Sequence, residues 1–96
     1  IPLLLSAAPP GEPDDLVRRG NAAFRAGDAD AASRLYAAAE ERTADPGLVA
    51  FNTAAVLFAR GEFRAAELHY LRALDDRAAP PDRRAKALYN RGVCLL

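Results

Sequence analysis

Ninety-six residues are enough for one small domain with a modest core. Thirteen basic residues balance 13 acidic ones, so no global field draws nucleic acid or an anionic membrane surface. The single cysteine, Cys94, excludes an internal disulfide and any cysteine-based zinc site.

Residues 1–12, IPLLLSAAPPGE, differ in character from the rest of the chain. Ile1 to Leu5 is too short to span a bilayer. An apolar run leading into Ser6-Ala7-Ala8 resembles the tail of a secretory signal, and the other reading is an interdomain linker with an apolar start. Under either, Pro2, Pro9, Pro10 and Pro13 favour extended backbone. With no methionine, not even at position 1, the chain reads as a piece of a longer protein.

Helices are expected from there on. Twenty-three alanines, the best helix former, bias the chain to α structure, and no segment alternates with period two. The first helix begins near Pro13, with Asp14 and Asp15 at its positive end, and runs to about Ala26. Gly27-Asp28 turns the chain, and Asp28 caps a second helix that reaches about Arg42. Asp45-Pro46 repeats the start signal for a third helix to Arg60. Gly61 breaks that helix, a fourth runs from about Glu62 to Arg77, and Pro81-Asp82 opens a fifth that reaches the C-terminus.

The fourth helix places Phe63, Ala66, Tyr70, Ala73 and Leu74 on one face, and the third makes a stripe of Ala50, Ala54 and Leu57. Small residues at Ala54 and Ala66 let these two backbones approach closely, and Gly20 and Ala32 play the same parts earlier in the chain. A shift of 34 residues puts Gly61 on Gly27, Ala66 on Ala32, Tyr70 on Tyr36 and Ala73 on Ala39. A fixed period of this length with a helix–turn–helix pattern marks a repeat array.

These residues resemble tetratricopeptide repeats over 13–96. Repeat one (13–46) offers Leu16, Gly20, Ala32, Tyr36 and Ala39 to the family pattern. Repeat two (47–80) offers Ala54, Leu57, Ala66, Tyr70 and Ala73, and a truncated third (81–96) offers Leu88, Gly92 and Leu95. Gly20 to Ala54 is 34 residues but Ala54 to Gly92 is 38, about one extra helical turn. The chain departs from the pattern at Arg19, Thr53 and Arg91, where leucine is usual, at Ala23, which replaces a tyrosine, and at Pro46 and Pro80, which sit two places late. The resemblance implies an all-α fold, a short right-handed α-solenoid of antiparallel helix pairs with five helices in about two and a half units. It also implies a concave groove, lined by the first helix of each pair, that binds a peptide.

The family's groove positions fall on Asp14, Val17, Asn21, Phe24 and Arg25, on Leu48, Phe51, Ala55, Phe58 and Ala59, and on Lys86, Tyr89, Val93 and Leu96. Phe51, Ala55 and Phe58 form a second apolar stripe on the third helix, which is either deeply buried or presented to a partner. The carboxylate clamp of chaperone-binding repeats maps onto Val17, Asn21, Asn52, Lys86 and Asn90, where Val17 and Asn90 break its pattern. An apolar groove built around Phe24, Phe51, Phe58 and Tyr89, with polar ends from Asn21, Arg25, Asn52 and Lys86, is therefore the expected peptide site.

No catalytic constellation stands out. His69 is the only histidine, Cys94 has no basic partner, and there is no glycine-rich phosphate loop, serine elbow or cluster at metal spacing. The expectation is a protein-binding scaffold or adaptor that takes a protein or peptide, with no catalysis, cofactor, metal, nucleic acid or small-molecule substrate. The alternative is self-assembly, with Ile1 to Leu5 or the last helix docking into a neighbouring copy. A leftover apolar face at Leu88, Val93, Leu95 and Leu96 needs more repeats or a second copy to cover it. Twelve arginines against Lys86 alone match the usage of a GC-rich bacterial genome. An exported, periplasmic or membrane-associated location is favoured slightly over a cytoplasmic one. In general character the chain also resembles the repeat proteins encoded beside membrane-anchored von Willebrand-type domains in aerotolerance operons.

Overall fold

Proline, aspartate and glycine punctuate residues 11–96, which the computed structural model describes, into five helices with no strand among them. They are α1 (Pro13–Arg25), α2 (Ala29–Glu40), α3 (Pro46–Ala59), α4 (Phe63–Leu74) and α5 (Pro81–Cys94). The expectations for Ile1 to Leu5, and for the signal or linker around them, lie outside the described residues.

Each start has a local cause. Pro13, Pro46 and Pro81 occupy first turns, where a missing N–H costs nothing. The Asp28 carboxylate accepts from the Ala31 N–H at 3.0 Å, and that of Asp45 accepts from the Leu48 N–H at 3.2 Å. The first and third helices end alike. Gly27 and Gly61 take φ of +85° and +79°, and the next N–H groups, of Asp28 and Glu62, reach back to the carbonyls of Ala23 and Leu57. This left-handed stop is open to glycine and strained for most other residues.

The second and fourth helices stop short of Arg42 and Arg77, where the sequence pattern would have carried them. At the end of α2 the N–H groups of Arg42 and Thr43 both fold onto the Ala39 carbonyl. Beyond α4, the Arg84 guanidinium accounts for the early stop by donating to the carbonyls of Leu74 (2.9 Å) and Asp76 (3.3 Å).

Consecutive helices pack on one another, and α1 also meets α3 as α3 meets α5. Between α2 and α4 the long Arg72 side chain spans to Glu40 at 3.3 Å. The outcome measures 47 × 28 × 21 Å, elongated enough for its ends to carry much of the surface. On α1, buried Leu16 and Gly20 face Ala32, Tyr36 and Ala39, and on α3 buried Ala50 and Ala54 accompany Ala66, Tyr70 and Ala73. The Tyr36 ring lies so close to α1 that a Cβ placed on Gly20 would sit 2.5 Å from its Cε1 atom.

Two features were not legible as core in the sequence. Val49 and Val56 are fully buried in the cluster formed by α1 and α2, so α3 is covered on a side other than its Ala50–Ala54 stripe. Their counterparts 38 residues on, Ala87 and Cys94, pack in the same way against the α4 cluster. Phe63, expected on the buried face of α4, is exposed at the edge, where it meets Phe58 in an edge-to-face ring pair with centroids 5.2 Å apart.

The longer interval before α5 is organised by Arg83. Its guanidinium, with a side chain only 12% exposed, donates to both Asp45 oxygens at 3.1 and 3.0 Å and to Asp76 at 3.2 Å. The first residue of α3 after its proline is Gly47, and a Cβ there would sit 2.5 Å from the Asp76 carboxylate, so the knot closes tightly around the α3 start. The Arg83 Nε is buried without a partner, a cost that the fork must offset.

Two outcomes are expected. Gly20→Ala should destabilise the chain in urea unfolding, because overpacking against Tyr36 costs about 1–3 kcal/mol and outweighs a helix-propensity gain of at most about 1 kcal/mol. Gly92→Ala, where an added Cβ meets nothing within 4 Å, should stabilise it, and a Gly20→Ala variant as stable as Gly92→Ala would show that the ring contact is not tight. The hydrogen bonds from Arg83, more than any other influence, hold the Asp45 carboxyl below its ordinary 3.8. That contribution is fully present above 3.8 and fades as pH falls through the lower folded value. Arg83→Met should therefore destabilise at neutral pH, and the gap between variant and parent should narrow below 3.8 in acid titrations of the urea midpoint.

Candidate functional site

The row of positions read as groove-facing has one member on each of α1, α3 and α5, and its exposure rises along the stack. Val17 is 8% exposed, Phe51 is half-buried and Tyr89 is 73% exposed. The physical reason is the contact of each of these helices with the next, since α3 covers its neighbour α1 and α5 covers α3. Tyr89 has no such neighbour among the described residues.

The aromatic members of the expected site therefore differ in what they offer. Phe24 packs half-buried against the first cluster. Phe51 meets buried Tyr70 edge to face at 5.8 Å, and Phe58 meets Phe63. Both α3 rings pack on the second cluster, which gives them a share in the fold as well as a half-exposed surface. The stripe expected to be either buried or presented is thus in between. Arg25 and Lys86 are exposed, and neither forms a hydrogen bond or ion pair within residues 11–96.

The asparagines are occupied. Tyr36, 1% exposed, donates its hydroxyl to Asn21 Oδ1 at 2.5 Å, and Asn52 Nδ2 donates to the same oxygen at 3.4 Å. In the second repeat Asn90 Nδ2 donates directly to the hydroxyl of Tyr70 at 3.2 Å. The position equivalent to Asn21 is Ala55 there, so the two tyrosines are satisfied by different arrangements of one residue type. Of the five clamp positions, Val17 is buried and Asn21, Asn52 and Asn90 serve buried phenols, leaving Lys86 as the one exposed to solvent.

Burial pushes both phenols above their ordinary 10.0, offset in part by the Arg25 charge near Tyr36 and by the Asn90 hydrogen bond at Tyr70. Burial, and then the charge of Glu67, push the Cys94 thiol up as well, which disfavours its thiolate. His69 Nδ1 lies 3.0 Å from the Ala65 carbonyl one turn before it on its own helix. Among the described residues, no group of three or more side chains could hold a metal ion, and no helix is long and apolar enough to cross a membrane.

What the sequence understated is the apolar surface at the α5 end. Leu88, Tyr89, Leu95 and Leu96 are exposed there, and Leu68 on α4 is exposed beside them. Leu68 lines a shallow recess of about 470 Å³ with Arg64, Glu67, Cys94 and Leu95. The signal was present in the 38-residue shift, which makes Leu88 and Leu95 the counterparts of Ala50 and Leu57, two residues covered by α4.

Raised phenol values mean that the fold holds the neutral rings. Their contribution is complete below pH 10.0 and is lost as pH rises through the higher folded values. Tyr36→Phe should cost about 1 kcal/mol near neutrality, since the Asn21 oxygen keeps only Asn52. It should also flatten the alkaline fall of the urea midpoint. An unchanged alkaline limb would show that the Tyr36 hydroxyl is not held neutral.

Compared with family models, curated proteins and solved structures, the chain matches none of them.

Proposed function

We propose that this chain is a protein–protein interaction module of the tetratricopeptide type, with a scaffold or adaptor role. In this reading α1–α2 and α3–α4 are antiparallel pairs of a short right-handed solenoid and α5 begins a third. A partner's apolar segment lies along α1, α3 and α5. The observation that carries the reading is Tyr89, an aromatic ring 73% exposed at the end of a row whose earlier members are Val17 and Phe51. A large exposed ring beside other exposed apolar side chains marks a binding surface more often than a solvated one. Phe24 and Phe58 supply half-exposed apolar surface along the same row, and Arg25 and Lys86 supply cationic ends. With its asparagines bonded to phenols, the site holds an apolar segment by its side chains and not by a terminal carboxylate.

A second reading, self-association through the last helix, is favoured by Leu88 and Leu95, which are 55% and 63% exposed. Sedimentation equilibrium separates it from the first, because self-association predicts a dimer that Leu88→Ser dissolves.

The test of the leading reading is an array of apolar peptides of about 12 residues, long enough to run past three helices spaced about 8–10 Å apart. Peptides retained by the parent should bind Tyr89→Ser about tenfold more weakly, with far-ultraviolet circular dichroism unchanged because the ring is exposed. Free-acid and amidated forms should bind alike. Equal binding to Tyr89→Ser, or a marked preference for the free acid, would overturn this reading.

A further inference from the structure

The chain contains the same helix stripe three times, and only two copies are covered. Leu16–Gly20–Ala23 on α1 packs under α2, and Ala50–Ala54–Leu57 on α3 packs under α4. On α5 the counterpart is Leu88–Gly92–Leu95, with both leucines exposed. The other side of α5 repeats α3 as well, since Ala87 and Cys94 stand where Val49 and Val56 stand and pack on the preceding helix. The seat at Gly92 is open. A Cβ at Gly20 would collide with the Tyr36 ring, whereas a Cβ at Gly92 would meet nothing within 4 Å.

We propose that this outer stripe of α5 is a docking site for a single amphipathic helix of a partner protein, with an aromatic ring seated on Gly92 and acidic residues along its flanks. The two covered stripes define the shape. In each, the covering helix brings a small residue and then, four positions later, a tyrosine: Ala32 and Tyr36, Ala66 and Tyr70.

Charge defines the flanks. Lys86 lies on α5 one turn before Tyr89, and Arg64 lines the recess that holds Leu95; both are exposed and neither is in an ion pair within residues 11–96. The nearby acid, Glu67, is engaged by Arg91 at 3.2 Å. A second copy docked through the same face would set cations against cations. A copy stacked head to tail would offer α1 positions such as Asp15, Arg18 and Ala22, which are polar or small where α3 has Val49, Asn52 and Val56. A separate helix with acidic flanks meets neither obstacle. The site lies on a different face of α5 from the Tyr89 row, so it stands or falls independently of that row.

The probe is a synthetic helix of about four turns that copies the Ala66–Tyr70–Ala73 face of α4 and carries glutamates on both flanks. Fluorescence anisotropy at low salt should show saturable binding to the full chain that weakens as salt is added. Leu88→Ser and Gly92→Leu, both at solvent-exposed positions, should each weaken it at least about tenfold. Tyr89→Ser should leave it unchanged. A lysine-flanked version of the probe should bind more weakly than the glutamate form. Failure to bind, equal binding of the two flank versions, or indifference to both stripe variants would overturn the proposal. So would a dimer of the chain alone that Leu88→Ser dissolves, because the occupant would then be a second copy.

Discussion

A phenol ring seated against a helix position with little or no side chain sets the spacing of the first helix pair and, through it, the rest of the stack. At Gly20 the Tyr36 ring occupies the space a Cβ would need, and at Ala54 a single methyl is present in the cluster that holds Tyr70. Bringing two helices this close leaves the phenol oxygen buried between them, and a buried hydroxyl without a partner is expensive. The asparagines on α1, α3 and α5 meet that demand, so each polar residue of this kind ties a tyrosine on a second helix to a first helix in the stack. Packing and hydrogen bonding thus impose the same arrangement, which is why the repeat survives the differences between Asn21 and Ala55.

The extent and type of the helices were open to reading because their causes are local. Proline in the first turn, aspartate at the cap and glycine in the left-handed stop each act within a few residues. The second burial side of α3 was not open in the same way. Val49 and Val56 are covered by a helix that precedes them, and their repeat partners 34 residues back, Asp15 and Ala22, show no apolar signal because no helix lies before α1 among the described residues. A period search needs both copies to carry the feature, and here only the later pair did, as Ala87 and Cys94.

The expected groove was legible as a set of positions, but not as a surface. Residue type reports that Val17, Phe51 and Tyr89 are large and apolar; it does not report how far the next helix overlaps each one. That overlap is a tertiary quantity, and it turns three similar residues into one buried, one half-buried and one exposed. The asparagines illustrate the same limit in chemical terms. Asparagine at a helix position is equally suited to a carboxylate or a phenol, and only the position of the tyrosine hydroxyls decides between them.

Arg83 has a bearing on how the chain folds. Most contacts here join consecutive helices, so the contact order is low and each pair can form early and locally. In such a linear array an end helix tends to fray as a separate unit. The fork from Arg83 works against this, because its carboxylate partner Asp45 is also the cap of α3, 38 residues away in sequence. Detaching α5 therefore removes the guanidinium from the group that starts α3, and the loss is felt at the opening turn of the central helix. The last helix and the middle of the stack are joined into one cooperative unit by a single planar cation.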